Sequence, residues 1–258
     1  MRGKSVVITG AGGGIGSAIA LAFGRAGADL VLADADVTVD ATAGEARRAG
    51  ARAEALCGDV SRSEDMRALA GRALEVFGRL DVLITCAGVG GSGLLAEQDE
   101  AEWLRVIDVN LGGTYRAIRA ALPAMMDQRS GRIITISSIF GRIGAYGFVT
   151  AYAASKHGVI GLTRALAAEL GSQGYPGITV NAICPGYVRA GMGVKTQSTK
   201  AGPMSGTEIF ERYYKRQTPL RRMIEGEEIA EAALFLAGDG AAAITGQALN
   251  VDGGFVMS

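Results

Sequence analysis

Tyr152 and Lys156 stand four positions apart, and together they have the chemistry of a proton-transfer pair. Apolar residues recur at helical spacing through residues 150–170, which predicts a helix there. Side chains four apart on a helix lie on one face, one turn from each other. An isolated tyrosine has a pKa near ~10, and a cation at about 4 Å contributes roughly 4 kcal/mol at an effective dielectric of ~20. We therefore expect Lys156 to lower the pKa of Tyr152 toward the range of a working general acid/base.

A further hydroxyl group is expected near this pair, because an apolar run ends in two serines shortly before the helix. Residues 131–138 have the sequence GRIITISS, which is typical of a buried strand with a polar end. The end of the strand and the start of the helix bring a serine hydroxyl, the Tyr152 phenol and the Lys156 ammonium group together. The pattern predicts a site that moves a proton to or from a bound substrate.

A glycine-rich loop near the N-terminus predicts a phosphate site. Residues 5–9 (SVVIT) form an apolar run, residues 10–16 (GAGGGIG) follow, and a helical pattern begins there. Glycines let backbone N–H groups approach a phosphate, and the N-terminus of a helix favours negative charge. The spacing of Gly10, Gly14 and Gly16 differs from the literal G-x-G-x-x-G pattern.

Asp34 ends the next apolar run, residues 29–33, and follows Gly16 by 18 positions. An acid at this place binds the ribose hydroxyls of a dinucleotide and repels a ribose phosphate. No lysine or arginine occupies residues 10–17, and Ala35 follows Asp34, so the sequence contains no evident phosphate clamp. The pattern favours NAD over NADP, with Asp36 as the alternative acid.

The rest of the chain repeats a strand–helix rhythm. Strands are predicted at residues 52–57, 81–85, 131–138, 177–184 and 248–251, and helices at 64–77, 99–128 and 227–237. Repeated β-helix-β units predict an α/β fold, a single-domain doubly wound (Rossmann-type) parallel sheet with helices on both faces. One domain is expected over residues 1–258, and residues 187–225, which lack periodicity, are expected to form a long loop that serves as a substrate lid.

The amino-acid composition and charge indicate which partners and which kinds of site are not expected. Of 258 residues, 48% are apolar and 20% are charged, and basic and acidic residues number 26 each. This balance predicts neither a nucleic-acid nor a membrane partner, and without a signal peptide or a long apolar run we expect a cytoplasmic protein. Cys57, Cys86 and Cys184 lie far apart, and His157 is the only histidine. Neither a metal site nor a Ser-His-Asp triad is therefore expected.

Taken in order, these residues resemble the short-chain dehydrogenase/reductase family over essentially the full length of the chain. The motifs that carry the resemblance are TGAGGGIG from Thr9, Asp34, Asp59-Val60, CAG from Cys86, Asn110, Ser138, YAASK from Tyr152, Pro185-Gly186 and VDGG from Val251. The resemblance implies an NAD-dependent oxidoreductase that interconverts a secondary alcohol and its ketone. It also implies a homo-oligomer, specifically a tetramer.

The resemblance assigns roles to individual residues as well. Tyr152 would be the acid/base, and Lys156 would lower its pKa and bind the nicotinamide ribose. Ser138 would orient the substrate oxygen, and Asn110 would hold a water molecule in a proton relay. The implied cofactor contacts are Gly10, Gly14, Ile15 and Gly16 for the pyrophosphate, Asp34 for the adenosine ribose, Asp59 and Val60 for the adenine, and Ala87, Gly88, Pro185, Gly186 and Val188 for the remainder.

The chain departs from the family pattern in three places. Thr85 and Cys86 stand where the family often has two asparagines, and Ala190 stands where it often has a threonine. Ser138 precedes Tyr152 by 14 residues, one more than the family spacing. Either the intervening loop bulges or Ser137 takes part instead, and we favour Ser138.

The expected substrate pocket is largely apolar. Its predicted walls are Ile139, Phe140, Tyr146, Phe148, Tyr187, Met192, Phe210, Tyr213 and Tyr214. Residues 189–222 contain eight basic and two acidic side chains, so this lid either receives an anionic substrate or presents a solvated or interface surface. Charge reversal at Lys195 and Lys200 would separate these readings.

Two other functions remain open. One is an NADPH-dependent ketoreductase of biosynthesis, which Asp34 disfavours. The other is a non-catalytic NAD-binding regulatory protein, which would not need to keep Asn110, Ser138, Tyr152 and Lys156 together.

Overall fold

The computed structural model describes residues 1–91, 93–144, 148–199 and 202–257. Tyr146 and Lys200, which the sequence places in the pocket wall and the basic lid, lie outside these ranges. The strands are β1 (Ser5–Thr9), β2 (Asp29–Asp34), β3 (Ala53–Cys57), β4 (Val82–Thr85), β5 (Gly131–Ile136), β6 (Ile178–Pro185), β7 (Thr196–Thr199), β8 (Gly202–Ser205) and β9 (Ala248–Val251). The α-helices are α1 (Gly14–Arg25), α2 (Val39–Arg48), α3 (Ser63–Phe77), α4 (Glu100–Ile107), α5 (Gly113–Gln128), α6 (Thr150–Ser172), α7 (Gly206–Ile209) and α8 (Gly226–Ala237).

Seven of the described strands form one parallel sheet in the order β3-β2-β1-β4-β5-β6-β9. Its strands are apolar on both faces because helices cover both. On one face Val6 and Ile8 pack with Phe23 of α1 and Ile229 of α8. On the other face Val7 belongs to a second core that contains residues of α3, α5 and α6. The predicted doubly wound α/β fold is confirmed.

Two predicted boundaries differ from the observed ones for identifiable reasons. β5 ends at Ile136, and Ser138 begins a 3₁₀ turn, Ile139–Gly141. The predicted helix over residues 99–128 is α4 and α5 joined by a π-helical turn, Asp108–Gly112. A π-helical turn inserts one extra residue, but the apolar period within each flanking helix is unchanged, so periodicity predicts helix on both sides without locating the turn.

Residues 187–225 have more regular structure than the long loop that the sequence predicts. They contain a 3₁₀ turn (Gly191–Gly193), the β7–β8 hairpin, α7 and a π-helical turn (Phe210–Tyr214). A capping box between Ser205 and Glu208 starts α7. Each element is only three to five residues long, which is too short for a periodic pattern to reveal it.

No helix in the described part of the chain is long and apolar enough to cross a membrane. The same residues contain no group of three or more His, Cys, Asp or Glu side chains that could hold a metal ion.

Candidate active site

The residues singled out by the sequence gather at the carboxyl ends of the central strands. β1 and β4 are neighbours whose connections run in opposite directions, which makes a crevice at this edge of the sheet. The glycine loop follows β1, the Cys86-Ala87-Gly88 segment follows β4, and Ser138 follows β5. Pro185 closes β6, and Asp34 closes β2.

The glycine loop makes a turn that side chains would block. Gly10 has φ +70°, and a Cβ on it would lie 2.5 Å from the backbone nitrogen of Ala87. A Cβ on Gly16 would collide with the carbonyl oxygen of Gly10. Gly14 has φ +58° and lies against Gly191 of the lid, whose Cα would be 3.0 Å from an added Cβ. Glycine is therefore required at these positions by close backbone approach and by left-handed conformation.

The N-terminus of α1 suits a bound pyrophosphate. Gly13 is the N-cap and provides no side-chain hydrogen bond, and the first turn contains no acidic residue. The first backbone N–H groups of a helix lack partners within the helix and carry its positive dipole end. A Cβ on Gly13 would meet nothing within 4 Å, so the approach to Ile15 and its neighbours is open. These features fit the phosphate groups of a dinucleotide.

Asp34 lies against the glycine loop, whereas Asp36 does not. The Asp34 carboxylate accepts hydrogen bonds from the backbone N–H of Gly12 at 2.9 Å and of Asp36 at 3.1 Å. Asp36 accepts from the backbone N–H of Thr38 and is exposed. Among the ion pairs of the described residues none involves Asp34. Of the two acids, Asp34 has the position that a ribose-binding carboxylate needs.

The predicted adenine contacts follow β3. Asp59 accepts a hydrogen bond from the backbone N–H of Ser61, and its own N–H donates to Asp65. Val60 is buried, and a Cβ on Gly113 of α5 would press into its side chain. The segment is held rigidly beside the end of β2, where Asp34 pairs in register with Cys57.

The two serines have different partners, which answers the question raised by their spacing. Ser137 donates its hydroxyl hydrogen to the carbonyl oxygen of Lys156 at 2.9 Å. Ser138 instead hydrogen-bonds the Tyr152 side chain, and its hydroxyl also accepts from the N–H of Phe140. Of the two serines, Ser138 is therefore the one that contacts Tyr152. In the loop before α6, Phe148 has φ +59°, which a bulky residue rarely adopts.

Lys156 is buried with its charge close to the ring of Tyr152. Its Nζ donates to the carbonyl oxygen of Ile136 at 2.8 Å and lies 5.7 Å from the centre of the Tyr152 ring. Burial lowers the pKa of Lys156 to about 8, although Cys86 and Cys184 act to raise it. The side chain therefore remains mostly protonated at neutral pH.

The pKa of Tyr152 moves in the direction opposite to the prediction. Burial of the hydroxyl raises this pKa, the hydrogen bond from Ser138 lowers it, and the thiols of Cys86 and Cys184 raise it. Desolvation disfavours the phenolate more than the neighbouring groups stabilise it. An estimate from the charge of Lys156 alone omits this cost.

Asn110 acts as a clamp in the π-helical turn. Its Oδ1 accepts from the N–H of Val89 at 2.8 Å, and its Nδ2 donates to the Val89 carbonyl and to Ser155 Oγ, each at 3.0 Å. Ser155 in turn donates to the carbonyl oxygen of Tyr152 at 2.7 Å. The clamp joins the segment after β4 to the first turn of α6. Sequence reasoning overlooked Ser155, although the YAASK motif contains it.

The segment after β4 lies close to both Asn110 and Lys156. The N–H groups of Cys86 and Ala87 donate to Thr9 Oγ1 at 3.2 and 3.4 Å. A Cβ on Gly88 would lie 3.2 Å from Asn110 Oδ1 and 3.5 Å from Lys156 Nζ. Burial raises the pKa of the Cys86 thiol to about 12, so this thiol is neutral where the family often has an amide.

The far side of the site is built on the end of β6. Gly186 donates its N–H to the carbonyl of Val251, and a Cβ on it would lie 2.8 Å from Asp252 Cα. Val188 is buried and pairs with Ile224, which closes the base of the lid. These contacts fix where the lid leaves the sheet.

Lys156→Met should stabilise the cofactor-free protein at pH 7. The pKa of Lys156 falls from 10.5 to about 8 on folding, so between these values the unfolded chain holds a proton that the folded chain lacks. Wild-type stability therefore rises with pH through this window, and the advantage of the variant should shrink from pH 8 to pH 10.5. Urea unfolding across this range measures the difference.

The exposed Lys195 provides the control, since Lys195→Met removes a lysine without removing a buried charge. Equal pH profiles for the two variants would contradict the assignment of a depressed Lys156 pKa.

Comparison with known proteins agrees with this arrangement. A family profile described as "Enoyl-(Acyl carrier protein) reductase" matches residues 10–256. The chain is 39% identical over 260 residues to "Oxidoreductase UcpA" of Salmonella typhimurium, covering 100% of this chain and 96% of that protein.

Two solved structures have closely similar folds. Carveol dehydrogenase from Mycobacterium avium, in complex with NAD, has a TM-score of 0.91 and 30% identity, with 99% of this chain and 98% of that chain covered. A variant of actinorhodin polyketide ketoreductase with NADPH has a TM-score of 0.90 and 37% identity, with 98% and 97% covered. The chain belongs to the short-chain dehydrogenase/reductase family and is an oxidoreductase of that family.

Proposed function

We propose that this protein is an NAD-dependent oxidoreductase that interconverts a secondary alcohol and its ketone, with Tyr152 as the acid/base. The observation that carries the proposal is that Tyr152 is hydrogen-bonded to Ser138 and has the buried Lys156 Nζ 5.7 Å from its ring centre. A proton acceptor, a hydrogen-bond donor and a buried cation lie at one edge of the sheet, where a dinucleotide fits.

In oxidation, the Tyr152 oxygen takes the proton of the substrate hydroxyl as the carbinol C–H bond breaks. In reduction, Tyr152 returns that proton to the forming alkoxide. When bound, the nicotinamide supplies the acceptor or donor of the hydride. Ser138 orients the substrate oxygen toward Tyr152, and the charge of Lys156 favours the deprotonated phenol. The Asn110–Ser155 clamp holds the turn of α6 that carries Tyr152.

The preference for NAD is supported by Asp34. Its carboxylate lies within 2.9 Å of the Gly12 N–H, beside the pyrophosphate cradle, and would repel a phosphate on the adenosine ribose. The related structures were solved with NAD in one case and NADPH in the other. The second candidate is therefore an NADPH-dependent ketoreductase, which the similarity to the actinorhodin enzyme favours and Asp34 disfavours.

Other features remain expectations from the sequence. A homotetramer follows from the family resemblance, and a cytoplasmic location and a role of residues 187–225 as a substrate lid are expected. NAD preference favours alcohol oxidation as the physiological direction, because it suits a cofactor pool held mostly oxidised.

Tyr152→Phe should abolish turnover while NAD binding stays nearly intact. The substitution removes one oxygen and keeps the ring, so only proton transfer is lost. NADH formation from a panel of secondary alcohols measures turnover, and calorimetry measures NAD binding. Retained turnover would end the proposed mechanism, whereas a non-catalytic NAD-binding protein would show no turnover even as wild type.

Ser138→Ala should lower kcat/KM by about 100-fold, on the scale of other groups that stabilise a reacting oxygen. Ser137→Ala is the matched control, since it removes the neighbouring hydroxyl, which bonds the Lys156 carbonyl and the Cys184 side chain instead of Tyr152. We expect the control to lower stability more than activity. A larger activity loss in Ser137→Ala would show that the wrong serine has been assigned.

Asp34→Ala should lower the ratio of kcat/KM for NAD to that for NADP by at least tenfold, because it removes both a ribose acceptor and a repulsive charge. Asp36→Ala removes the exposed neighbouring acid and should leave the ratio within about threefold of wild type. Steady-state assays with both cofactors test this. An unchanged ratio in Asp34→Ala, or a wild-type preference for NADP, would contradict the NAD proposal.

A further inference from the structure

An aromatic cluster connects the lid to the site and remains unexplained by the proton-transfer chemistry. It joins Phe140, two residues after Ser138, to Tyr187, two residues after Pro185. The two ring centres are 6.4 Å apart with an edge-to-face angle of 86°. β5 and β6 are paired in the sheet, so these two rings project from adjacent strand ends.

Tyr187 is the centre of this cluster. Its ring lies 4.4 Å from that of Tyr214 and 5.9 Å from that of Phe210, both from the π-helical turn of the lid. Phe210 and Tyr214 are buried, whereas Tyr187 is only partly buried. The lid side of Tyr187 is thus filled by protein.

Tyr187 is placed at the edge of the sheet where the reacting groups lie, because it follows Pro185 at the end of β6 and β6 pairs with β5, which ends just before Ser138. Its hydroxyl is hydrogen-bonded to Tyr214. Burial is the main cause that raises the pKa of Tyr187 above its usual range, so this phenol is neutral. The aromatic surface at this strand end is therefore uncharged.

The basic side chains that the structure describes in the lid are either paired with other groups or exposed. Arg189, Lys215 and Arg222 are paired with Glu225, Glu211 and Glu228. Arg212 lies over the ring of Tyr213, which is 44% exposed. Tyr213 does not belong to the aromatic cluster around Tyr187. Lys195, Arg216 and Arg221 are exposed.

We infer that Tyr187 determines substrate specificity, and that its ring selects uncharged, ring-bearing alcohols and ketones over small acyclic or anionic ones. This inference rests on the proposed function. Aromatic surfaces favour contact with flat or cyclic apolar groups, and no cation in the described part of the cluster compensates a carboxylate or phosphate.

The test compares cyclohexanol with 2-butanol as substrates for wild type, Tyr187→Ala and Tyr187→Phe. We expect Tyr187→Ala to lower kcat/KM for cyclohexanol by about tenfold, the scale of one aromatic contact, and that for 2-butanol by less than threefold. Tyr187→Phe keeps the ring and should keep the preference. Equal losses for both alcohols, or a Phe variant as impaired as the Ala variant, would overturn the inference.

Two further variants distinguish substrate selection by the Tyr187 ring from a general loss of packing in the lid. Tyr213→Ala removes an exposed tyrosine of the same lid turn and should leave both substrates unaffected. Phe255→Leu loosens the cluster from the side of Tyr214, where the rings are 5.6 Å apart, and should affect both substrates equally. A selective loss of cyclohexanol in Phe255→Leu would show that lid packing rather than Tyr187 sets the preference.

Binding of a tertiary alcohol distinguishes failure of this inference from failure of the proposed function. 1-Methylcyclohexanol cannot be oxidised, so its thermal stabilisation of the NAD complex is independent of turnover. This alcohol should raise the melting temperature of the wild-type and Tyr213→Ala complexes. Tyr187→Ala should need an about tenfold higher concentration of it for the same stabilisation. The acyclic tert-butanol should stabilise none of the three proteins. The inference would be overturned if 1-methylcyclohexanol stabilised wild type and Tyr187→Ala equally, or if it did not stabilise wild type at all. Absent turnover with the expected binding pattern would overturn only the proposed reaction.

Discussion

The buried ammonium group of Lys156 is the constraint on which the rest of the site depends. Removing a charge from water is costly, and the fold supplies one main-chain acceptor, Ile136, at the end of β5. Ser137, the first residue after β5, donates its hydroxyl hydrogen to the backbone carbonyl of Lys156 itself. The sheet and α6 therefore cannot shift against each other without exposing or stranding this charge. Such a fixed cation is useful because Tyr152 lies one helical turn away.

Around this charge, the proposed cofactor side and the proposed substrate side of the site differ in composition. The cofactor side consists of close backbone contacts, such as those of Gly10 with Ala87 and of Gly14 with Gly191. The substrate side consists of aromatic rings centred on Tyr187. Backbone N–H groups and a helix terminus suit phosphates that are common to every reaction, whereas side chains can vary with the substrate. The lid contributes to both sides.

Much of the arrangement was accessible from the sequence because its signals are local. A strand end followed by glycines, an acid at the end of the next strand and the Tyr152–Lys156 spacing each lie within one β-helix unit, and topology then brings the units together. The short elements of the lid were missed because each is only three to five residues long, which is too short for a recurring apolar pattern. The hydrogen-bond partners of Ser137 and Ser138 could not be predicted from the sequence either, because they depend on the orientation of two adjacent side chains just after β5.

The direction of the Tyr152 pKa shift shows a deeper limit of sequence reasoning. Spacing identifies the charge beside a tyrosine, but the opposing desolvation depends on how Cys86, Cys184 and the surrounding elements enclose the hydroxyl. Similarly, Asn110 was recognised, but its partners Val89 and Ser155 come from two other elements. Burial and long-range contacts are properties of the assembled fold, so they become visible only when the strands and helices are in place.

The central claim is hydride transfer from a secondary alcohol to a nicotinamide, and isotopic labelling tests it most directly. Wild-type protein would be incubated with NAD and with cyclohexanol or 2-butanol that carries deuterium at the carbinol carbon. Mass spectrometry and NMR of the recovered NADH would locate the label. The account predicts NADH with one deuterium at C4 of the nicotinamide ring, on a single face. Recovery of NAD without conversion, or of NADH without deuterium, from both alcohols would contradict it.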